Sequence, residues 1–312
     1  MSERFENALA EESVPKIRRF AKGDLHCHSI FGTRLWRVEE WANVTLERPP
    51  SRMKVLDDMR NYAHRVLFPY INNRAGFEFT TEASILDSLD DGVTMLEMSV
   101  DVNCVHYYDQ KVEELLLFVE RLVRKYRERI DFRPEIGIAR DADPSACIQI
   151  ALEWIRSGIF KSIDLYGNEM AQPPEAYKSL YKEAKLVGLK LKAHVGEFGG
   201  PDIIEQTLRM FELNEIQHGV KAVLSNTLMK LLSGERIRLN VCPSSNVALS
   251  VAPSLAEHPI KILVDNGVRV SINSDDLTIF NSSVSEEYLK LWQAGTLTAH
   301  QLEAIRKDSI LV

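Results

Sequence analysis

The chain has 312 residues, of which 45% are hydrophobic and 27% charged, and it carries a formal net charge of −7. That length suits one large α/β domain, and the acidic balance argues against a broad surface for polymeric nucleic acid. No apolar run approaches a membrane span, and the opening MSERFENALAEESVPKIRRF lacks the apolar core of a secretory signal, so a cytoplasmic location with no membrane partner is the expectation.

In chain order, short apolar runs at Asp24–His28, Thr94–Val100, Phe132–Ala139, Ser162–Leu165, Leu189–His194, Glu215–His218, Arg238–Cys242 and Val268–Asn273 read as strands. Amphipathic helical patterns lie between them, among them Lys111–Arg127, Pro144–Arg156, Pro174–Leu186 and Pro201–Phe211, three of which open on a proline that suits the first helical turn. Alternating strands and helices imply a parallel sheet, and eight such units imply a closed (β/α)8 TIM barrel of α/β class as a single domain over 1–312. One connection breaks the rhythm: residues 30–76 follow the first strand as a long insertion, with eight basic against five acidic side chains. Connections of that length are usually functional, and after a barrel strand this one would lie on the active-site face as a lid. Cys27, Cys104, Cys147 and Cys242 are widely spaced with no C-x-x-C pair, which argues against a disulfide framework and a structural cysteine–zinc site.

Four clusters carry chemistry. In Asp24-Leu25-His26-Cys27-His28 the two histidines sit at i and i+2, so a strand projects both imidazoles from one face. Lys192-Ala193-His194-Val195-Gly196-Glu197 adds a third imidazole and then a carboxylate. Gln217-His218-Gly219 ends the sixth strand, and Ser271-Ile272-Asn273-Ser274-Asp275-Asp276 ends the eighth with two adjacent carboxylates. A lone histidine is most often a satisfied core or surface group, and paired aspartates often cap helices. All four clusters, however, fall at the C-terminal ends of barrel strands, where active sites are built. Three imidazoles and one carboxylate suit Zn²⁺ and leave room for a water.

The blocks HCHS, AHVGE, QHG, NVCPSSN and SINSDD, in that order, resemble the signature blocks of the adenosine deaminase family, and DLYGNE at 164–169 is similar to its fourth-strand block. The likeness runs over about residues 23–280, and Lys307-Asp308-Ser309-Ile310 is similar to the family's late helix. The resemblance implies hydrolytic removal of the 6-amino group from a small purine, an adenine nucleoside or its 5′-monophosphate, with adenine itself or a 5′-modified adenosine as the alternative. It implies one Zn²⁺ held by His26, His28, His194 and Asp275. Glu197 would protonate N1, His218 would orient and deprotonate the attacking water, and Asp275 would join them in the catalytic set. Asp276 would meet N7 and the Gly167 backbone N3.

One departure bears on the substrate. Where the family has an aspartate for the ribose 5′-hydroxyl, this chain has Ile30, followed by Arg34 and Arg37. Losing that negative charge lowers the cost of a nearby phosphate, so Ile30, Arg34 and Arg37 are candidate substrate contacts, the arginines either meeting a phosphate or standing as solvated lid charges. His64, His106, His258 and His300 match no block and are expected to be ordinary. A binuclear amidohydrolase would need a lysine at the end of the fourth strand, where IDLYG has none and Lys161 sits at the wrong end. A catalytically silent nucleotide- or metal-binding module would not need both Glu197 and His218. The cytidine-type zinc motif H-x-E…P-C-x-x-C is absent.

Overall fold

A computed structural model describes residues 4–311. Eight parallel strands run β1 (Lys22–His28), β2 (Val93–Asp101), β3 (Asp131–Ala139), β4 (Ser162–Tyr166), β5 (Lys190–Val195), β6 (Glu215–His218), β7 (Arg238–Val241) and β8 (Arg269–Ile272). Each pairs with the next in that order. All eight expected strands are present, with ends displaced by at most two residues. The seam between β8 and β1 closes at the C-terminal end, where Cys27 bridges Asp275 and the Asp275 amide donates to the His26 carbonyl at 3.0 Å. Below it the Asn273 side chain takes the Leu25 amide at 2.8 Å. The barrel is therefore shut at the rim that carries the histidines.

Helices cover the outside because their apolar stripes need the sheet. The helix Val112–Tyr126 buries Leu115, Phe118, Val119, Leu122 and Tyr126, the i, i+3, i+4 spacing of one face. Pro144 opens its helix as expected, and Asp143 caps it by accepting from the Ser145 and Ala146 amides. Pro174 instead opens a short 3₁₀ turn, Pro174–Tyr177, before the α-helix Lys178–Leu186 begins. The four cysteines are free and buried. Among the described residues no helix is long and apolar enough to cross a membrane.

The connection after β1 is not slack. It holds helices Leu35–Ala42 and Leu56–Tyr62, a π-turn and the short helix Phe68–Ile71. These surround a second apolar core of Leu35, Val38, Leu46, Met53, Tyr62 and Leu67, joined by Leu249 and Phe280 from the far side of the barrel. The helix that packs on β2 starts at Arg74, two residues before the end expected for the insertion.

The interior of the barrel is ionic beneath the rim. Lys192 is fully buried, with Nζ 2.5 Å from Glu97, 2.8 Å from Glu135 and 3.0 Å from the Leu25 carbonyl. Burial alone would pull its pKa down, but Glu135, Glu97 and Glu215 more than offset this and hold the ammonium above its ordinary value. Removing one partner of such a network leaves uncompensated buried charge. Lys192→Met should therefore cost about 3–5 kcal/mol, read as a lower urea midpoint at an unchanged slope. A variant within about 1 kcal/mol of the parent would show that the network adds no net stability.

Candidate active site

The C-terminal ends of β1, β5, β6 and β8 deliver the site. On β1 the pleat points His26 and His28 the same way, and their ring centroids lie 5.4 Å apart. His194 near the end of β5 stands 4.6 Å from His26 and 5.3 Å from His28, centroid to centroid. Asp275 Oδ1 lies 3.6 Å from Nε2 of both His26 and His28. The ligand atoms of His26, His28 and His194 all fall within 4.8 Å of one another.

Hydrogen bonds fix which ring nitrogen is free. His26 Nδ1 faces the Asn240 carbonyl at 3.3 Å, which leaves Nε2 as the lone-pair nitrogen, and that atom is buried with no protein partner. His194 Nδ1 meets Asp164 at 2.9 Å, so its Nε2 also points inward. Carboxylate–imidazole pairs of this kind orient metal ligands and raise their basicity. Burial, reinforced by the neighbouring imidazoles, holds His26 well below its ordinary pKa, and burial lowers His28 and His194 to about 4. Neutral imidazoles with inward lone pairs and a carboxylate beside them fit a divalent cation of the Zn²⁺ type. His26, His218 and Cys242 also approach within 4.8 Å.

Beside this centre, Glu197 and His218 meet: Glu197 Oε2 is 3.7 Å from His218 Nε2, which is 3.8 Å from Asp275 Oδ2. Glu197 is 6% exposed. Burial, and then the charges of Asp275 and Glu169, push its carboxyl well above the usual range. Asp276 is raised for the same reasons, burial and the adjacent Asp275, and its Oδ1 is buried without a partner. Both carboxyls are thus biased toward their acid forms at the border of the site.

His258 governs His218 through Asn246. The Ile260 amide donates to His258 Nδ1 at 3.1 Å, so the His258 proton is on Nε2 and points to Asn246 Oδ1 at 3.3 Å. The Asn246 amide nitrogen then faces His218 Nδ1 at 3.2 Å and Glu197 Oε1 at 3.3 Å. His218 Nδ1 is an acceptor, and its proton sits on Nε2, turned toward Glu197 and Asp275. One expectation is corrected: His258, expected to be ordinary, is tied to the site through Asn246.

A cavity of about 330 Å³ opens over these groups, and His28, Ile30, Gly167, His194, Glu197, His218, Asp275 and Asp276 all line it. His106, set aside on sequence, lines it too. Gly167 has φ +93°, and a Cβ there would stand 2.6 Å from Asp141 Oδ1, so the turn after β4 needs glycine. Arg34 and Arg37 are not among the lining residues. Arg34 pairs with Glu286 at 2.8 Å and donates to Asn281 at 3.2 Å, while Arg37 pairs with Asp87 at 2.8 Å and Asp90 at 2.7 Å. The helix that carries them turns its basic face onto acidic helices outside the cavity. The guanidinium that does line it is Arg60, paired with Asp141 and, at 3.4 Å, with Asp57. Lys161 lies before β4, in a groove at the other end of the barrel.

Comparison with known proteins agrees with this geometry. The family model described as adenosine deaminase matches residues 83–311. A Treponema pallidum protein provisionally named adenosine/adenine deaminase is 32% identical over 294 residues, covering 94% of this chain and 98% of its own. An adenine deaminase of Albidiferax ferrireducens is 34% identical over 316 residues, covering 96% and 91%. Among solved structures, an amidohydrolase from Burkholderia ambifaria with bound Zn superposes with a TM-score of 0.81 at 19% identity, covering 99% of this chain and 88% of that one. The chain belongs to the adenosine deaminase family and is a hydrolytic deaminase built on a (β/α)8 barrel.

Proposed function

We propose that this chain hydrolyses the 6-amino group of a neutral adenine compound, the base or an uncharged nucleoside, with one Zn²⁺ per chain held by His26, His28, His194 and Asp275. The observation that carries this reading is the buried Glu197 carboxyl, pushed up by burial, set beside His218, Asp275 and Asp276 in one cavity. When bound, the metal supplies the Lewis acidity that ionises a water near neutral pH.

The residues divide the remaining work. Attack at C6 moves an electron pair onto N1 of the purine, and Glu197 donates its proton there, so charge never builds on the ring in a water-poor site. His218, holding its proton on Nε2, donates to the attacking oxygen and turns a lone pair toward C6. Asp276, kept protonated, donates to N7, and the backbone at Gly167 approaches N3. The proton that the water gives up on ionising restores Glu197 to its acid form; as the tetrahedral carbon collapses the C6 hydroxyl proton passes to N6, the C6–N6 bond breaks and ammonia leaves, giving the 6-oxo purine.

The lining also bears on the substrate. Ile30 offers no acceptor to a 5′-hydroxyl, and the one guanidinium on the lining, Arg60, is already paired with Asp57 and Asp141. A phosphate dianion would enter without a free cation to neutralise it. With Arg34 and Arg37 bound elsewhere, this reading ranks the base and the nucleosides above the 5′-monophosphates that the sequence also led us to expect. The adenine deaminase relative favours the base, and Ile30 agrees with it.

Three measurements test the reading. His194→Ala leaves three ligands, and elemental analysis should find most of the metal gone; full occupancy would sink the ligand set. Glu197→Gln keeps the shape but not the transferable proton, so metal should remain while kcat falls roughly 10²-fold or more; near-parental turnover would remove Glu197 as the acid. Across adenine, adenosine, deoxyadenosine, AMP and dAMP, followed by the loss of absorbance near 265 nm, kcat/KM for the best neutral substrate should exceed that for either nucleotide by roughly 10²-fold. Equal use of AMP would overturn the neutral-substrate reading.

A further inference from the structure

Glu169 is 2% exposed and does not line the cavity, yet its carboxylate is held by four consecutive backbone amides of the loop after β5. Oε1 accepts from Glu197 N at 2.9 Å and Phe198 N at 2.8 Å. Oε2 accepts from Gly196 N at 2.8 Å and Gly199 N at 3.1 Å. A carboxylate buried this deeply is costly unless its lone pairs are met, and here both oxygens are met twice. The loop is shaped to do so. Gly196 has φ +80°, which turns the chain so that successive N–H groups converge. At Gly199 a Cβ would stand 2.6 Å from Glu169 Oε2, so a side chain there would push the carboxylate out.

The clamp centres on one residue of the reaction. Glu197 has its backbone amide on Glu169 and its carboxyl against Asn246 and His218. Lys221 donates to the Gly196 and Phe198 carbonyls at 2.9 and 3.0 Å, but all four amides of this loop, which has glycine on both sides of the Glu197-Phe198 pair, rest on Glu169. Reacting groups need placement to a fraction of an ångström, and a misplacement of about 1 Å can cost roughly 10²-fold in rate. We infer that Glu169 is a positioning residue for the deamination: its carboxylate gathers the amides of Gly196, Glu197, Phe198 and Gly199 and so sets where Glu197 delivers its proton. This rests on the assignment of Glu197 as the acid.

The test is a double-mutant cycle on the metal-loaded enzyme with adenine and adenosine, comparing the parent, Glu169→Gln, Glu197→Gln and the double variant. Glutamine keeps the size but presents an NH₂ group to two of the four amides. Glu169→Gln should keep its metal by elemental analysis and leave KM within about threefold, while kcat falls roughly 10–100-fold. In the Glu197→Gln background the same change should alter kcat by less than about twofold, because the group being positioned is already disabled. Gly199→Ala, which displaces the carboxylate without removing its charge, should lower kcat in the same direction and carries the test if Glu169→Gln does not fold. Parental kcat in Glu169→Gln, or an equal fall in both backgrounds, overturns the inference, as does loss of metal in either clamp variant. If Glu197→Gln itself turns over at the parental rate, the acid assignment has failed instead.

Discussion

Exclusion of water from the barrel mouth is the constraint on which the chemistry depends. Burial keeps His26, His28, His194 and His218 neutral, because an isolated imidazolium there would lose its hydration without gaining an equal partner. It pushes the carboxyls of Glu197 and Asp276 up for the same reason. One physical effect therefore favours the uncharged form of imidazole and carboxyl alike.

Such a site needs a frame that does not relax. The ladder closes between β8 and β1 at Cys27 and Asp275, so a proposed ligand is also part of the seam. Asp275 and His218 both hold left-handed backbone, at φ 58° and 61°, a conformation uncommon for side-chain-bearing residues. His218 closes β6 and Asp275 lies three residues past β8, and at each the chain turns sharply. Beneath them the Lys192 ammonium joins β5 to carboxylates of β2 and β3 and to the Leu25 carbonyl of β1.

The substrate cavity is shaped from the other side, by the connection after β1. Its helices bury an apolar core of their own and bring Phe31 and Phe68 into a stacked pair 5.9 Å apart, both lining the cavity. The basic residues that made this segment stand out are mostly consumed in ion pairs with acids of the same segment or neighbouring helices. Charge excess in a stretch of sequence thus says little about charge facing a ligand.

The sequence by itself determined the barrel and which residues gather at its rim. Strand alternation places His26 and His28 on one face, and motifs at strand ends must share a rim once the sheet is parallel and closed, so His194, His218, Glu197 and Asp275 were legible without coordinates. Only the tertiary structure decided what stands behind them. Asp164 on His194, Asn246 and His258 on His218, and Glu169 on the Glu197 loop are contacts between residues 12 to 49 positions apart, and no local periodicity encodes which donor meets which acceptor. DLYGNE did hold both Asp164 and Glu169, but a block resemblance carries no direction for a side chain. Arg34 and Arg37 failed as substrate contacts for the same reason: a long cation goes to the nearest carboxylates the fold supplies, and those lay on helices at 74–90 and 284–293.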